Sequence, residues 1–495
     1  MNKWSLSRQA GALLLTSLAA GRALAAAPSS AKAFEARLDG ELGIAGGLTS
    51  SELARRALET SFDIAGRQQE LLAAAAEADR ALLGYLPELT VTASYTRVSD
   101  LGTENLGNVV VAPGQPQGAL PANTQLANFP IEIKSLLNQY ALQANLLVPV
   151  SDYFLRVAPA RSAAEHAQRV AADNVETARA RVVTDARVAY YSWVRARLGV
   201  AVAEQALADA QAHLADSRVA AQAGSASAAD VLRLESQVAR SELYLVSARS
   251  LAAVAEEQVR AQLHDASEKP LAIAEDVREA SAARSADSQV AHLPELIRLA
   301  YQNRPELKAL NDNASALSLR ARVERAGYAP RFDALAAAAY ADPNPRVFPP
   351  RDEFTGTWQA GVRLSWNITD IPAARLRARA SEARSSAALD QRSALMDGIR
   401  VEVRSAAQAV DDSRIALETT QRSLDAAEES YRVRRLLYQN GRATNVELLD
   451  AETDLTRARL ERLNAEVDAR VAQVRLDYAA GRASLSGAGR AAQLR

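Results

Sequence analysis

The sequence predicts a mainly helical protein that also carries membrane-type β-strands, built as one unit written twice. Three observations point there. Two glycine turns of similar composition interrupt very long helical patterns; short segments of strict two-residue alternation precede each pattern; and the halves align without gaps over their opening segments. Glu52-Leu53-Ala54-Arg55-Arg56-Ala57-Leu58 matches Glu295-Leu296-Ile297-Arg298-Leu299-Ala300-Tyr301, and the same offset carries Gly84-Tyr85-Leu86-Pro87 onto Gly327-Tyr328-Ala329-Pro330.

Residues 1–25 read as a secretory signal: Lys3 and Arg8 precede a short apolar run from Gly11 to Ala20, and Ala23-Leu24-Ala25 forms a small-x-small cleavage site. The run is too short to span a bilayer, and no other uncharged apolar stretch approaches the roughly 20 residues a membrane helix needs. Entry into a membrane would therefore be as strands.

The first repeat is assigned to 26–263 and opens with a helix ending near the Gly-x-x-Pro block. Its strands are expected at about 89–98 and 140–150. Leu89, Val91, Ala93 and Tyr95 alternate with Thr90, Thr92, Ser94 and Thr96; Tyr140, Leu142, Ala144, Leu146, Val148 and Val150 lie opposite Gln143 and Asn145. The stretch between, about 99–138, reads as a long loop rich in Pro, Gly and Asn. A helical hairpin fills about 157–263, reversing near Gly224.

Residues 264–293 join the halves without clear periodicity and read as a linker with some short structure. The second repeat, 294–480, repeats the plan, with strands at about 331–341 and 356–368 and a hairpin at about 373–480 that reverses at Asn440-Gly441; 481–495 form a tail. In the last strand Trp358, Ala360, Val362, Leu364, Trp366 and Ile368 alternate with Gln359, Gly361, Arg363, Ser365 and Asn367. Trp358, Trp366, Tyr95 and Tyr140 fall on apolar strand faces, as expected of residues that face lipid, form a girdle, or pack inward in a soluble sheet.

Each rod approaches about 100 Å at roughly 1.5 Å per residue, too long for a compact domain. Val403, Val410, Leu417, Leu424, Tyr431 and Tyr438 recur every seventh residue, with Ala406, Ser413, Thr420 and Ala427 three positions later; Trp193, Val200, Leu207, Leu214 and Ala221 repeat the spacing. This is coiled-coil periodicity, and the small residues permit close helix approach. The remaining charges alternate in sign and read as a solvated face.

Four strands cannot close a membrane barrel, and an open sheet in lipid would leave edge N–H and C=O groups unpaired at several kcal/mol each. Three copies give about twelve strands, continued by the hairpins as a helical tunnel. A non-conducting trimeric coiled-coil stalk is the alternative; duplication of the strand unit favours the duct.

Composition excludes other classes. With 58 basic and 59 acidic residues there is no field for nucleic acid, and with no cysteine there is no thiolate metal site, disulfide or cysteine nucleophile. His166, His213, His264 and His292 are dispersed, and no phosphate-binding loop or metalloprotease spacing occurs. Neither enzyme activity, a cofactor nor a metal is expected.

The order of helix, strand pair and long hairpin, repeated after a signal, resembles the TolC-like outer-membrane efflux protein family over nearly the whole mature chain. The most specific points are the tips, Gly224-Ser225-Ala226-Ser227-Ala228-Ala229-Asp230-Val231-Leu232 and Tyr438-Gln439-Asn440-Gly441-Arg442-Ala443-Thr444-Asn445-Val446-Glu447-Leu448-Leu449-Asp450: glycine, a small or hydroxyl residue three on, an acid six on, then Val or Leu. Asn303-Arg304-Pro305-Glu306-Leu307 resembles the family's Asn-x-Pro-x-Leu block, from which Ser61-Phe62-Asp63 in the first half departs.

The resemblance implies a homotrimer in the Gram-negative outer membrane, in contact with its lipid and reaching across the periplasm to a periplasmic adaptor and an inner-membrane transporter. It implies periplasmic gate acids at Glu447, Asp450 and Asp230, a gate latch at Tyr438 and Arg442, and adaptor-docking tips at Gly224, Ser225, Ser227, Gly441 and Thr444. Asp230 and Glu447 also lie in the first turns of the return helices, where a carboxylate complements exposed N–H groups. Tyr438 also lies on the heptad seam. Ala443 stands where the family has arginine, with Arg442 adjacent.

Overall fold

The computed structural model describes residues 30–100, 103–113, 118–119, 121–134, 136–224, 226–265, 269–278 and 288–483. The expected signal at 1–25 and most of the tail at 481–495 lie outside them.

The chain begins with α1 (Ser30–Glu41) and then shows two helices where one was expected, α2 (Ser50–Thr60) and α3 (Phe62–Leu83). Ser61 causes the break. Its extended backbone ends α2, and its hydroxyl accepts from Ile64 N to start α3. The second half divides likewise into α7 (Leu293–Asn303) and α8 (Pro305–Arg325), because Pro305 has no N–H to donate and holds Arg304 extended.

Strand β1 (Glu88–Arg97) follows, then β2 (Thr103–Val111), β3 (Ala127–Lys134) and β4 (Asn138–Val148). The stretch read as a loop thus contains a separate antiparallel hairpin, β2 with β3. Its register shifts between Asn105 and Asn108, around Gly107 at φ 107°, and this irregularity breaks the two-residue alternation that identifies strands in sequence. A short α4 (Val150–Asp152) and a π-turn at Tyr153–Val157 lead into α5 (Ala158–Gln222), which returns as α6 (Ala228–Leu263). The second half supplies β5 (Arg331–Asp342), β6 (Thr355–Ser365), α9 (Ile371–Gln439) and α10 (Asn445–Ala479). The 65 residues of α5 and 69 of α9 give rods of about 98 and 104 Å at roughly 1.5 Å per residue.

β1, β4, β5 and β6 form one antiparallel sheet in that order, with β1 and β6 as its edges. Its register turns the sequence alternation into two faces. Leu89, Leu146, Ala336 and Ala360 form one cross-strand row, and Val91, Ala144, Ala338 and Trp358 the next. The opposite face carries Thr90, Asn145, Ala337 and Gln359, then Thr92, Gln143, Ala339 and Thr357. The apolar face is uncovered within the chain: Leu89 is 65% and Trp358 79% exposed. Rings bound it at both ends. Tyr95, Tyr140, Phe354 and Tyr340 lie in succession with centroids 5.1, 6.0 and 5.2 Å apart, while Phe332 and Trp366 mark the other end. From Phe332 to Tyr340 along β5 is about 27 Å at roughly 3.4 Å per residue, close to the apolar band of a membrane barrel. No helix among the described residues is long and apolar enough to cross a membrane.

The heptad seams face inward. Val403, Leu417 and Tyr431 are buried, with Val410, Leu424 and Tyr438 half-buried between them; Trp193 and Leu214 are buried in α5. The main core sits midway along the rods, where Trp193, Tyr190, Leu198, Leu53, Leu38, Val259 and Val467 join α1, α2, α5, α6 and α10. The linker clasps this core. Leu48 bridges Ile273, Tyr190 Oη donates to the Leu48 carbonyl (2.9 Å), and the Glu275 carboxylate accepts from Ser50 N, Ser50 Oγ and Tyr191 Oη.

The expectation that charges off the seam are solvated fails at Glu452, Arg459 and Glu466. They lie on α10 at seven-residue spacing and are all buried.

Trp193→Ala is expected to destabilise the clasped core by about 3–5 kcal/mol. Chemical denaturation followed by helical circular dichroism measures this, and an unchanged midpoint would move the core elsewhere.

Candidate functional site

The two hairpin tips are built by the same local chemistry. At the second tip α9 ends in a Schellman motif: Gly441 N donates to the Tyr438 carbonyl (2.9 Å) and Arg442 N to the Leu437 carbonyl (2.8 Å). Gly441 stands at φ 68° and Gly224 at φ 76°, left-handed conformations that favour glycine. Both return helices then start with a capping box. Thr444 Oγ1 accepts from Glu447 N while Glu447 Oε2 accepts from Thr444 N (2.8 Å); Ser227 and Asp230 do the same at the first tip.

These contacts fix the charge state of both acids. The Thr444 backbone N–H, aided by its hydroxyl and by Arg434 at 3.0 Å, holds the Glu447 carboxyl below the usual range. The Ser227 hydroxyl does the same for Asp230. Their stabilising contribution is present above the unfolded carboxylate range and is lost as pH falls through the lowered folded value.

Glu447 and Asp450 lie one turn apart on α10, Glu447 half-buried and Asp450 exposed. Gly441, Arg442, Thr444, Gly224 and Ser227 are exposed, and Ser225 lies outside the described residues. Tyr438 packs with Leu424 and Ala427 against Tyr431, Leu448, Ala451 and Leu455. Among the described residues no hydrogen bond joins Tyr438 to Asp230, and Arg442 makes no ion pair. The bond between the tips runs from Asn445 Nδ2 to the Asp230 carbonyl (3.4 Å), and the arginine that reaches Glu447 is Arg434.

Sequence reasoning missed both Asn445 and Arg434. It also missed a buried cluster a few turns from the tip, comprising His213, Tyr431, Glu452 and Arg459. The available signal was charge at heptad spacing on the buried side of α10. Among the described residues no group of His, Cys, Asp and Glu is arranged to hold a metal.

The fold is similar over most of the chain to those of several solved outer-membrane channels. The fold is similar to that of VceC from Vibrio cholerae (TM-score 0.69, 17% identity, covering 87% of this chain and 96% of that one). It is also similar to CmeC from Campylobacter jejuni (0.67, 13%, 93% and 90%) and to the open state of MtrE from Neisseria gonorrhoeae (0.64, 15%, 87% and 88%). Residues 296–482 match the family model described as outer membrane efflux protein, whereas no curated protein matches the chain. Sequence in the second repeat is thus similar to the outer membrane efflux protein family, and the fold over nearly the whole length is similar to those of solved outer-membrane channels.

Thr444→Ala removes the hydroxyl half of its capping box and is expected to cost about 1 kcal/mol at the start of α10. Faster amide exchange over 445–450, with the middle of α10 unchanged, is the expected readout. Exchange unaltered at 445–450 would remove the cap from the tip's stability.

Proposed function

We propose that three copies of this chain form the exit duct of a tripartite efflux or type I secretion system in the Gram-negative outer membrane. The observation that carries the reading is the sheet. It has four strands, one apolar face bounded by rings, and two open edges, β1 and β6. Pairing β1 of one copy with β6 of the next keeps the antiparallel order and gives a closed barrel of about twelve strands. In lipid, unpaired edges would cost several kcal/mol per polar group.

The hairpins support the same assembly. On α6, Leu232, Leu243, Val246 and Val254 are more than half exposed and fall on one helical face, an apolar stripe suited to a neighbouring copy. In the trimer the second tips converge, and three pairs of Glu447 and Asp450 form a ring of about six carboxylates that favours cations. Tyr438, Arg442 and Asp230 would hold this end closed. Gly224, Ser227, Gly441 and Thr444 are exposed, and together with Ser225 they would form the docking surface for a periplasmic adaptor, which in turn engages an inner-membrane transporter.

Planar-bilayer recording tests the duct and its acid ring together. Glu447→Gln with Asp450→Asn removes the charge, and glutamine retains a capping-box side chain. The double variant is expected to conduct with weaker cation preference; unchanged selectivity would remove the ring, and absence of any conductance from the wild-type trimer would remove the duct. Separately, Gly441→Val places a β-branched residue at φ 68° and is expected to abolish cross-linking to the adaptor while trimers persist. Retained cross-linking would move the docking site off the tip.

A further inference from the structure

A buried polar cluster joins the two hairpins of one protomer where an apolar seam would serve packing alone. His213 on α5, Tyr431 on α9, and Glu452 and Arg459 on α10 are each at most 5% exposed. His213 Nε2 lies 3.0 Å from Tyr431 Oη and 3.8 Å from Glu452 Oε2, which has no hydrogen-bond partner. The Arg459 guanidinium stands 4.5 Å over the Phe34 ring of α1 and approaches Asp209 Oδ2 only at 4.0 Å, leaving Nε and Nη2 without hydrogen bonds.

The charged surroundings come from four helices: Glu35 from α1, Asp209 and Asp216 from α5, Asp425, Glu428 and Arg435 from α9, and Arg459 from α10. Burial dominates at both titrating groups. It pushes the Glu452 carboxyl up to about 8, with the Asp209 charge adding to the effect, and it pulls the His213 imidazole down. Near neutral pH the contact between them is therefore between a protonated carboxyl and a neutral ring, not an ion pair.

We propose that Glu452 is the proton-bearing group of a clamp between the two hairpins, and that parting the hairpins near the tip releases its proton. In the closed arrangement the carboxyl is desolvated and retains the proton. Once water reaches the group it ionises at the ordinary carboxylate range. Opening therefore becomes easier as pH rises from the exposed carboxylate value toward the buried one. His213 acts in the opposite sense. Its buried form disfavours charge, so opening takes up a proton there and is favoured as pH falls below the ordinary imidazole range. Around neutrality the carboxyl decides the sign, because opening loads the imidazole only at and below its ordinary range, about 6.5. The consequence for conduction rests on reading the second tip as the closed end of the duct, whereas the clamp itself rests on the buried cluster.

The sequence has no cysteine, so one introduced thiol reports alone. Ser217 on α5, one turn from His213 toward the tip, is fully buried. In the full-length trimer, the rate at which S217C reacts with a methanethiosulfonate reagent is compared with that of S217C/E452Q at each pH, which cancels the thiol's own titration. From pH 6.5 to 7.5 the ratio of the two rates is expected to rise roughly fivefold to tenfold, near one proton per protomer. A ratio that does not change with pH overturns the clamp. Should S217C/E452Q not assemble, S217C/H213Q decides. Removing the opposing imidazole titration must steepen the pH dependence relative to S217C alone, and an unchanged or shallower slope overturns the proposal. Bilayer conductance separates the two readings. A pH-dependent labelling ratio without any pH dependence of conductance retains the clamp and removes the tip as the gate, while a flat ratio removes the clamp whatever the conductance does.

Discussion

An unpaired strand edge cannot rest in lipid, and the proposed assembly depends on that constraint. The protomer carries a four-stranded sheet whose apolar face is suited to hydrocarbon, yet its β1 and β6 edges expose backbone N–H and C=O groups. In lipid such a sheet would be a fragment, which the proposed trimer completes. Duplication fits the same need: each repeat contributes one strand pair to the sheet and one helical hairpin, so in the proposed trimer three chains would supply six similar units to a wall.

Below the sheet the limiting problem is length. Rods near 100 Å gain most of their stability from packing along their seams rather than from helix propensity. The seam is mostly small and aliphatic, closed midway by Trp193, Tyr190 and the Glu275 clasp. Reversal at each tip is handled by a left-handed glycine and a capping box, so Asp230 and Glu447 have structural work before any assigned to them in a gate. The two roles are compatible. A carboxylate whose ionised form a cap favours would still contribute its charge to the proposed ring. The buried cluster around Glu452 differs in kind, because it weakens packing that an apolar residue would strengthen.

Legibility followed periodicity. The alternation of Leu89 to Thr96 and of Trp358 to Ser365 sets strand and face together, and the heptads from Val403 to Tyr438 mark the seam, because each pattern repeats many times. Single-residue events were harder to read. Ser61 and Pro305 each split what looks like one helix, and the irregularity at Gly107 hides β2 inside a stretch with loop composition. The tips were legible as turns from Asn440-Gly441 and Gly224, but their partners were not. Arg434 and Asn445 reach Glu447 and Asp230 through geometry that spacing does not encode. Glu452, Arg459 and Glu466 misled for a further reason: charge signals solvent by default, and only packing against α1, α5 and α9 shows otherwise.

Inter-subunit strand pairing is tested most directly by disulfide scanning on the polar face of the sheet. Cysteines placed one at a time at Thr90, Thr92 or Ser94 on β1 are combined with one at Thr357 or Gln359 on β6, and the oxidised protein is resolved under denaturing, non-reducing conditions. At least one combination is predicted to yield a covalently closed trimer, with pairings two residues out of register failing. Only monomers from every combination would contradict a barrel completed by sister chains.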